Sequence, residues 1–596
     1  MRLTRLAAAL ALILPAAAQA AVGALSQGVV AGDLRHDAAM LWAMPNVAGS
    51  LSFEVATDAA FTQVVLNSSP ISATPGVAAK WDATGLAAGT TYFYRATDFA
   101  NNMSSGTFTT PFSGGFNGLR FGVSGDWQGE LTPYPAFGNV AGRNLNFFVQ
   151  LGDTIYAEDY HTPGEPTAAT LAEYRAKYAQ ALTPPAGTAN TLKDLRQSTA
   201  VYSMIDDHEV VNDFAGGAPS ASDPRFAPGA PYINETQRYA NGLQAFHEAM
   251  PMQNLVYGAT GDPRTAGKTQ LFRSESFGRD AAMFLLDARS FRDQELGNPN
   301  LANPAEVGAF LANSALAPRT MLGAQQVADL KAGLLSAQND GVTWKFVMVP
   351  EPIMNLGPLA AADRFEGYAA ERNDILRFVD ENGIDNVVFV AADLHGTLVN
   401  DLSYQKTEEV FAAVTNPNNP FGSLAAPQHK VDSWEIITGA AAFDQPLGPT
   451  IIQQALAAGL IDANTVAYYD SLSTLGKEQF LKQLIDAQIV PLGYNPLGLE
   501  DSAIPFADLT PFGLPQDYAL ATHTYGWTEF AIDPVTQALT VTTYGVPAYG
   551  LGVLSEATPV VVSQFQVTAV PEPEAYALML AGLGLVGALA RRRVNR

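Results

Sequence analysis

Five apolar runs in this chain each end in residues that could do chemistry. Residues 119–123 lead into Gly125-Asp126-Trp127-Gln128, and residues 147–151 into Gly152-Asp153-Thr154-Ile155-Tyr156. Residues 200–205 lead into Asp206-Asp207-His208-Glu209, residues 281–286 into Asp287-Ala288-Arg289, and residues 386–391 into Asp393-Leu394-His395. Carboxylates crowded into one place repel each other unless a cation or a proton intervenes. Any single Asp among them can be a turn or helix cap. As a set they exceed that role, because caps need neither a His at Asp-x-His spacing nor a Tyr three residues after Gly-Asp. Several Asp with one Tyr and one His suit hard or borderline cations better than a His-rich zinc site would.

The elements that must position these residues are legible as periodicity. Beyond Pro111 and the Gly114-Gly115 linker, strand-like runs alternate with helical stretches, the pattern of an α/β domain. Ligands of such sheets gather outside the carboxyl ends of the strands, so the five tips should converge on one cleft. Before that point, residues 22–111 read as short alternating strands between Gly, Pro, Asn and Asp turns, a β-sandwich with no catalytic constellation. Composition removes other chemistries. The 596 residues include no Cys, so thiolate nucleophiles, disulfides, iron–sulfur clusters and Cys-ligated zinc are excluded. Only seven His are present, so a metal site must be built mostly from oxygen. Fifty-eight acidic against 33 basic residues leave no cationic surplus for a phosphate backbone, which argues against nucleic-acid binding.

The segments Gly152-Asp153-x-x-Tyr156, Asp206-Asp207-His208-Glu209 and Asp393-x-His395 resemble the calcineurin-like metallophosphoesterases, and more narrowly the alkaline phosphatase D (PhoD-like) family. Gly28-Val29-Val30-Ala31-Gly32-Asp33, Met321-Leu322-Gly323-Ala324-Gln325 and Phe365-Glu366-Gly367-Tyr368 extend the likeness. The resemblance implies a fibronectin III-like β-sandwich (22–111) followed by a four-layer αββα catalytic domain (117–568). It implies that Asp153 bridges two metals, that Asp126, Tyr156 and His395 complete a first site suited to Fe3+, and that Asp207 and Asp393 complete an oxygen-only site suited to Ca2+. No His follows the strand at 344–350, which argues against zinc. His208, next to Asp207 and with Glu209 beside it to orient the ring, is the expected general acid or phosphate-binding group, the alternative being a structural His–carboxylate pair. Arg289 is expected either to grip phosphate oxygens or to pair with Asp287 or Asp293. Asn212 is expected to support the second metal. Residues 448–501 match nothing in the family; Phe480, Leu481, Leu484 and Ile485 at helical spacing mark a helical insertion.

Both termini read as addresses. Residues 1–20 have the basic, apolar and small-residue parts of a secretory signal peptide. Pro571-Glu572-Pro573, the uncharged run 575–590 and the closing arginines resemble the PEP-CTERM sorting signal of Gram-negative bacteria. That implies a transient membrane anchor removed by a sorting peptidase, with delivery to the periplasm, cell surface or extracellular matrix. A permanent single-pass transmembrane anchor is the alternative, although the run is shorter than the ~20 residues that span a bilayer comfortably. The expected activity is hydrolysis of phosphate monoesters, and diesters too, by metal-activated water. The competing expectations are a phosphodiesterase of the phospholipase D or polymer-degrading type, and a non-catalytic surface or matrix protein.

Overall fold

The computed structural model describes residues 23–158, 167–416, 418–419, 422–499, 520–552 and 557–570. The expected signal peptide and the run 575–590 lie outside the described residues. Among the described residues no helix is long and apolar enough to cross a membrane.

Two large sheets form the body of the molecule. In the first, the parallel strands Leu119–Trp127, Phe147–Gln150 and Ala200–Ser203 lie side by side, and antiparallel Thr524–Ile532, Leu539–Pro547 and Val560–Val567 extend one edge. In the second, Ala281–Leu285, Trp344–Met348, Val387–Ala391 and His429–Ile437 run parallel, flanked by antiparallel Arg273–Phe277 and Thr397–Tyr404. The short central strands are buried on both faces, which is why they read as continuous apolar runs rather than alternating ones. The sheets meet through buried phenylalanines. Phe121 packs edge-on to Phe346 at 4.9 Å between ring centroids, and Phe147 stacks on Phe277 at 4.5 Å. Such pairs contribute about 0.5–1.5 kcal/mol each beyond their buried area.

The N-terminal module departs from the self-contained sandwich expected of residues 22–111. Gly49–Ala56, Thr91–Asp98 and Met103–Thr109 do belong to a separate five-stranded antiparallel sheet, and Thr91–Asp98 alternates in burial as its sequence requires. However, Val29–Arg35, Ala38–Ala43 and Ala79–Thr84 form the far edge of the first large sheet, where Val29–Arg35 runs parallel to Ala200–Ser203. Gly32 makes this junction possible, since a Cβ there would stand 2.3 Å from the Val201 carbonyl oxygen. A periodicity-two pattern gives a strand but not its neighbour, so the shared sheet could not be read from the sequence.

Residues 448–492 are largely helical, and 493–499 are irregular chain. Leu447–Ala457, Ala463–Asp470 and Thr474–Ile489 form three helices, the latter two capped by Asp462 and Ser473. Leu481 and Ile485 are buried, while Phe480 and Leu484 pack half-buried against the same core.

Candidate metal centre

Three groups of side chains at the strand tips bring metal-ligating atoms within 4.8 Å of one another: Asp126, Asp153 and His395; Asp153, Asp207 and His208; and Glu351, Asp363 and Asp393. Asp153 belongs to two of them. The backbone is contorted to aim these residues. Asp126, Asp153, Asp393 and His395 all sit at positive φ, between 50° and 64°. Non-glycine residues rarely adopt that region, and such strain, of order 1–3 kcal/mol each, persists where the surroundings enforce it, typically at functional sites. Gly152 before Asp153 has φ +99°, and a Cβ there would lie 2.5 Å from the Asp206 amide nitrogen. Only glycine lets the two strand-tip loops approach so closely.

Asp126 is buried, and neither of its carboxylate oxygens has a hydrogen-bond partner; Asp207 Oδ1 likewise lacks one. Buried acceptors are normally satisfied, so orphaned ones in a carboxylate cluster fit a site built for cations. Burial, and behind it the charge of neighbouring carboxylates, pushes Asp126, Asp153 and Asp393 well above the usual carboxylate range. Bound cations remove that penalty by favouring the ionised forms. Burial also pushes His395 down to about 3, with His208 adding to the effect, so its ring is neutral with a lone pair to offer. His395 Nε2 lies 3.3 Å from the Tyr156 hydroxyl and 3.5 Å from Asp126 Oδ1. Its ring stacks on Phe443 at 3.6 Å between centroids.

His208 is buried with its ring 4.2 Å from that of Tyr156, and its amide donates to Asp153 Oδ1. Its Nδ1 is 2.6 Å from Glu158 Oε2, and Nε2 lies 3.8 Å from Asp207 Oδ1. Burial opposes a charged ring here, but Asp207 and Glu158 outweigh it and raise the imidazole to about 9. The orienting carboxylate is therefore Glu158, not the expected Glu209. Glu209 instead accepts from the Thr154 amide and hydroxyl, both at 2.7 Å, and from the Asp206 amide at 2.9 Å, which locks the two loops together.

Arg289 also differs from expectation. Its side chain is fully buried and pairs with neither Asp287 nor Asp293. It clamps Asp206 at 2.6 Å, Asp363 at 2.8 Å and Glu351, with Asp207 at 3.5 Å. Four carboxylates surround it, which leaves no edge of the guanidinium for phosphate; its cost of burial is met by those charges. Asp287 caps the turn by accepting from the Arg289 and Ser290 amides, so the fourth strand tip contributes structure, not a ligand. Asn212 donates its side-chain N–H to Asp213 Oδ2 at 2.6 Å and its amide to Glu158 Oε1 at 2.9 Å. Asp393 shares a group with Glu351 and Asp363. Glu351 stands just beyond the strand Trp344–Met348, at the strand tip that lacks a His. A carboxylate at the end of an apolar strand is the sequence signal for it. Glu158 follows the Gly-Asp-x-x-Tyr segment by two residues, a weak signal; Asp363 and Phe443 carried none.

Comparisons with known proteins agree on the class. A model of the PhoD-like phosphatase family matches residues 122–446, more than half of the chain, and a model of the N-terminal domain of PhoD-like phosphatases matches residues 9–111. The chain belongs to the PhoD-like phosphatase family, whose members are metalloenzymes that hydrolyse phosphate esters. It is 26% identical over 426 residues to alkaline phosphatase D of Bacillus subtilis (strain 168), covering 65% of this chain and 67% of that protein. The solved structure of PhoD shares the fold, with a TM-score of 0.61 and 19% identity over 92% of each chain. A PEP-CTERM protein-sorting motif matches residues 569–593, which points to export in a Gram-negative bacterium.

Proposed function

We propose that this protein is an exported, metal-dependent phosphatase that hydrolyses phosphate monoesters, and diesters too, at the strand-tip cluster. The observation that carries this reading is the buried Asp126 carboxylate, with both oxygens unpartnered and grouped with Asp153 and His395. Asp153 would bridge, since it belongs to two groups. Asp126, Tyr156 and His395 would hold the first ion, with Fe3+ favoured by a phenolate donor; Asp207 and Asp393 would hold the second, with Ca2+ favoured by oxygen alone. When bound, such cations polarise the phosphoryl oxygens and acidify the attacking water.

The chain's own residues do the rest. His208, held by Glu158 through Nδ1, would give a proton from Nε2 to the departing alkoxide. Arg289, ringed by carboxylates, holds Asp206, Asp207, Glu351 and Asp363 in register. Phe443 fixes the His395 ring plane by stacking. The C-terminal segment would serve as a transient anchor for a sorting peptidase. The test is a paired assay of monoester and diester substrates before and after chelation, with re-addition of Ca2+ and Fe3+. Hydrolysis that chelator abolishes and metal restores supports the reading; full activity after exhaustive chelation overturns it.

A further inference from the structure

A cavity of about 500 Å³ opens directly beside the metal centre. That volume lies within the roughly 300–1,000 Å³ typical of small-molecule sites. Asp363, Asp393 and His395, all members of the carboxylate–histidine groups, line one part of it. Much of the remaining wall is hydrocarbon. Ile451 of the helix Leu447–Ala457 and Leu484 of the helix Thr474–Ile489 line it together with Val307, Leu356 and Leu359. The match to the family model ends at residue 446, one residue before the first of these helices begins. Ile451 and Leu484 thus come from chain beyond the matched segment and close the apolar wall against Val307, Leu356 and Leu359, which lie within it.

The charges lining the cavity narrow the chemistry further. Asp213 and Glu295 line it and would repel a second anionic group on the substrate. Arg364, the one arginine among the described residues lining it, is already committed to Glu366 and to the carbonyls of Gly357, Leu359 and Ala360. A nucleotide or a polyphosphate would therefore find repulsion and no spare guanidinium, whereas an uncharged hydrocarbon would displace water from leucine and isoleucine surface.

We infer that this enzyme prefers phosphate esters of apolar alcohols, with the hydrocarbon in this cavity and the phosphate at its Asp393–His395 end. This substrate class rests on the phosphatase reading above. Hydrolysis forms a bond from water oxygen to phosphorus and breaks the ester P–O bond. The alcohol then leaves, carrying a proton, with its chain still in the cavity.

The test is a series of methyl, butyl, hexyl and octyl phosphates offered to the metal-loaded enzyme below their micelle concentrations. Each methylene buried should raise kcat/KM by about two- to fourfold, so octyl phosphate should exceed butyl phosphate by about 15-fold or more. Ile451→Asp and Leu484→Asp, at half-buried positions, should each cut the octyl-to-methyl ratio by about tenfold. A flat wild-type series overturns the inference without recourse to any variant. So does a chain-length preference that survives both substitutions in folded protein. Turnover of methyl phosphate with no chain-length preference leaves the phosphatase reading standing, whereas no turnover of any ester sinks both.

Discussion

His208 is the residue on which leaving-group chemistry turns. It is buried beside Asp207 and held at 2.6 Å by Glu158. His208→Ala should lower kcat by roughly 10²–10⁴ for alkyl phosphates and by less for nitrophenyl esters, whose alcohols leave without help. Equal losses on both would assign the ring to phosphate binding instead. Glu158→Gln keeps the ring but weakens its orientation, so it should reproduce the same leaving-group dependence at smaller size, about tenfold. Tyr156 carries a different signature. A phenolate on Fe3+ gives a visible charge-transfer colour, and no thiolate exists in this Cys-free chain to produce one. Tyr156→Phe should bleach that band while bound calcium remains, as absorbance and metal content will show. At this scale the site was half legible. Asp126, Asp153, Asp207 and His395 stand at strand tips, where periodicity points. Glu158, Asp363 and Phe443 lie in loops, and the Arg289 clamp joins residues more than sixty positions apart in sequence. No local pattern encodes such a clamp.

At the scale of elements, the strands deliver the ligands and the phenylalanines between the sheets hold the strands. Phe121 is buried in the strand that ends at Asp126 and Trp127, and it contacts Phe147, Phe346 and Phe530 at 4.9 Å each. Phe121→Ala should therefore cost about 3–5 kcal/mol, read as a shift in denaturant midpoint. Activity per folded molecule should survive far better than in His208→Ala, because the ring touches no ligand. The continuous apolar runs announced these strands, since a strand buried on both faces has no polar side to interrupt the run. The helices at 447–489 were also legible through Leu481 and Ile485. Their place as the wall of a cavity was not, because helical spacing marks a buried face without naming what it faces.

For the whole molecule, the shared sheet makes the N-terminal module part of the catalytic body. Val29–Arg35 pairs with Ala200–Ser203, and Asp33 forms an ion pair with Arg273 at 3.1 Å. A chain starting at Phe112 would expose the edge of Ala200–Ser203 and the apolar face that the module covers. It should aggregate or refold poorly, as size-exclusion chromatography will reveal. Ending the chain after Val570 should do the opposite. Val570 is held by Asn386, and the last strand of the large sheet ends at Val567, so the shortened protein should fold and turn over substrate.

The central claim is that the buried carboxylate cluster exists to hold cations for phosphate-ester hydrolysis. It is tested most directly by elemental analysis of the purified enzyme and of Asp153→Asn, since Asp153 alone belongs to both groups that include Asp207 or His395. The account predicts at least two ions per wild-type chain, iron and calcium among them, and loss of both metal and activity in the folded variant. A wild-type enzyme that is fully active without bound metal would contradict it, as would an Asp153→Asn protein with undiminished metal content and turnover.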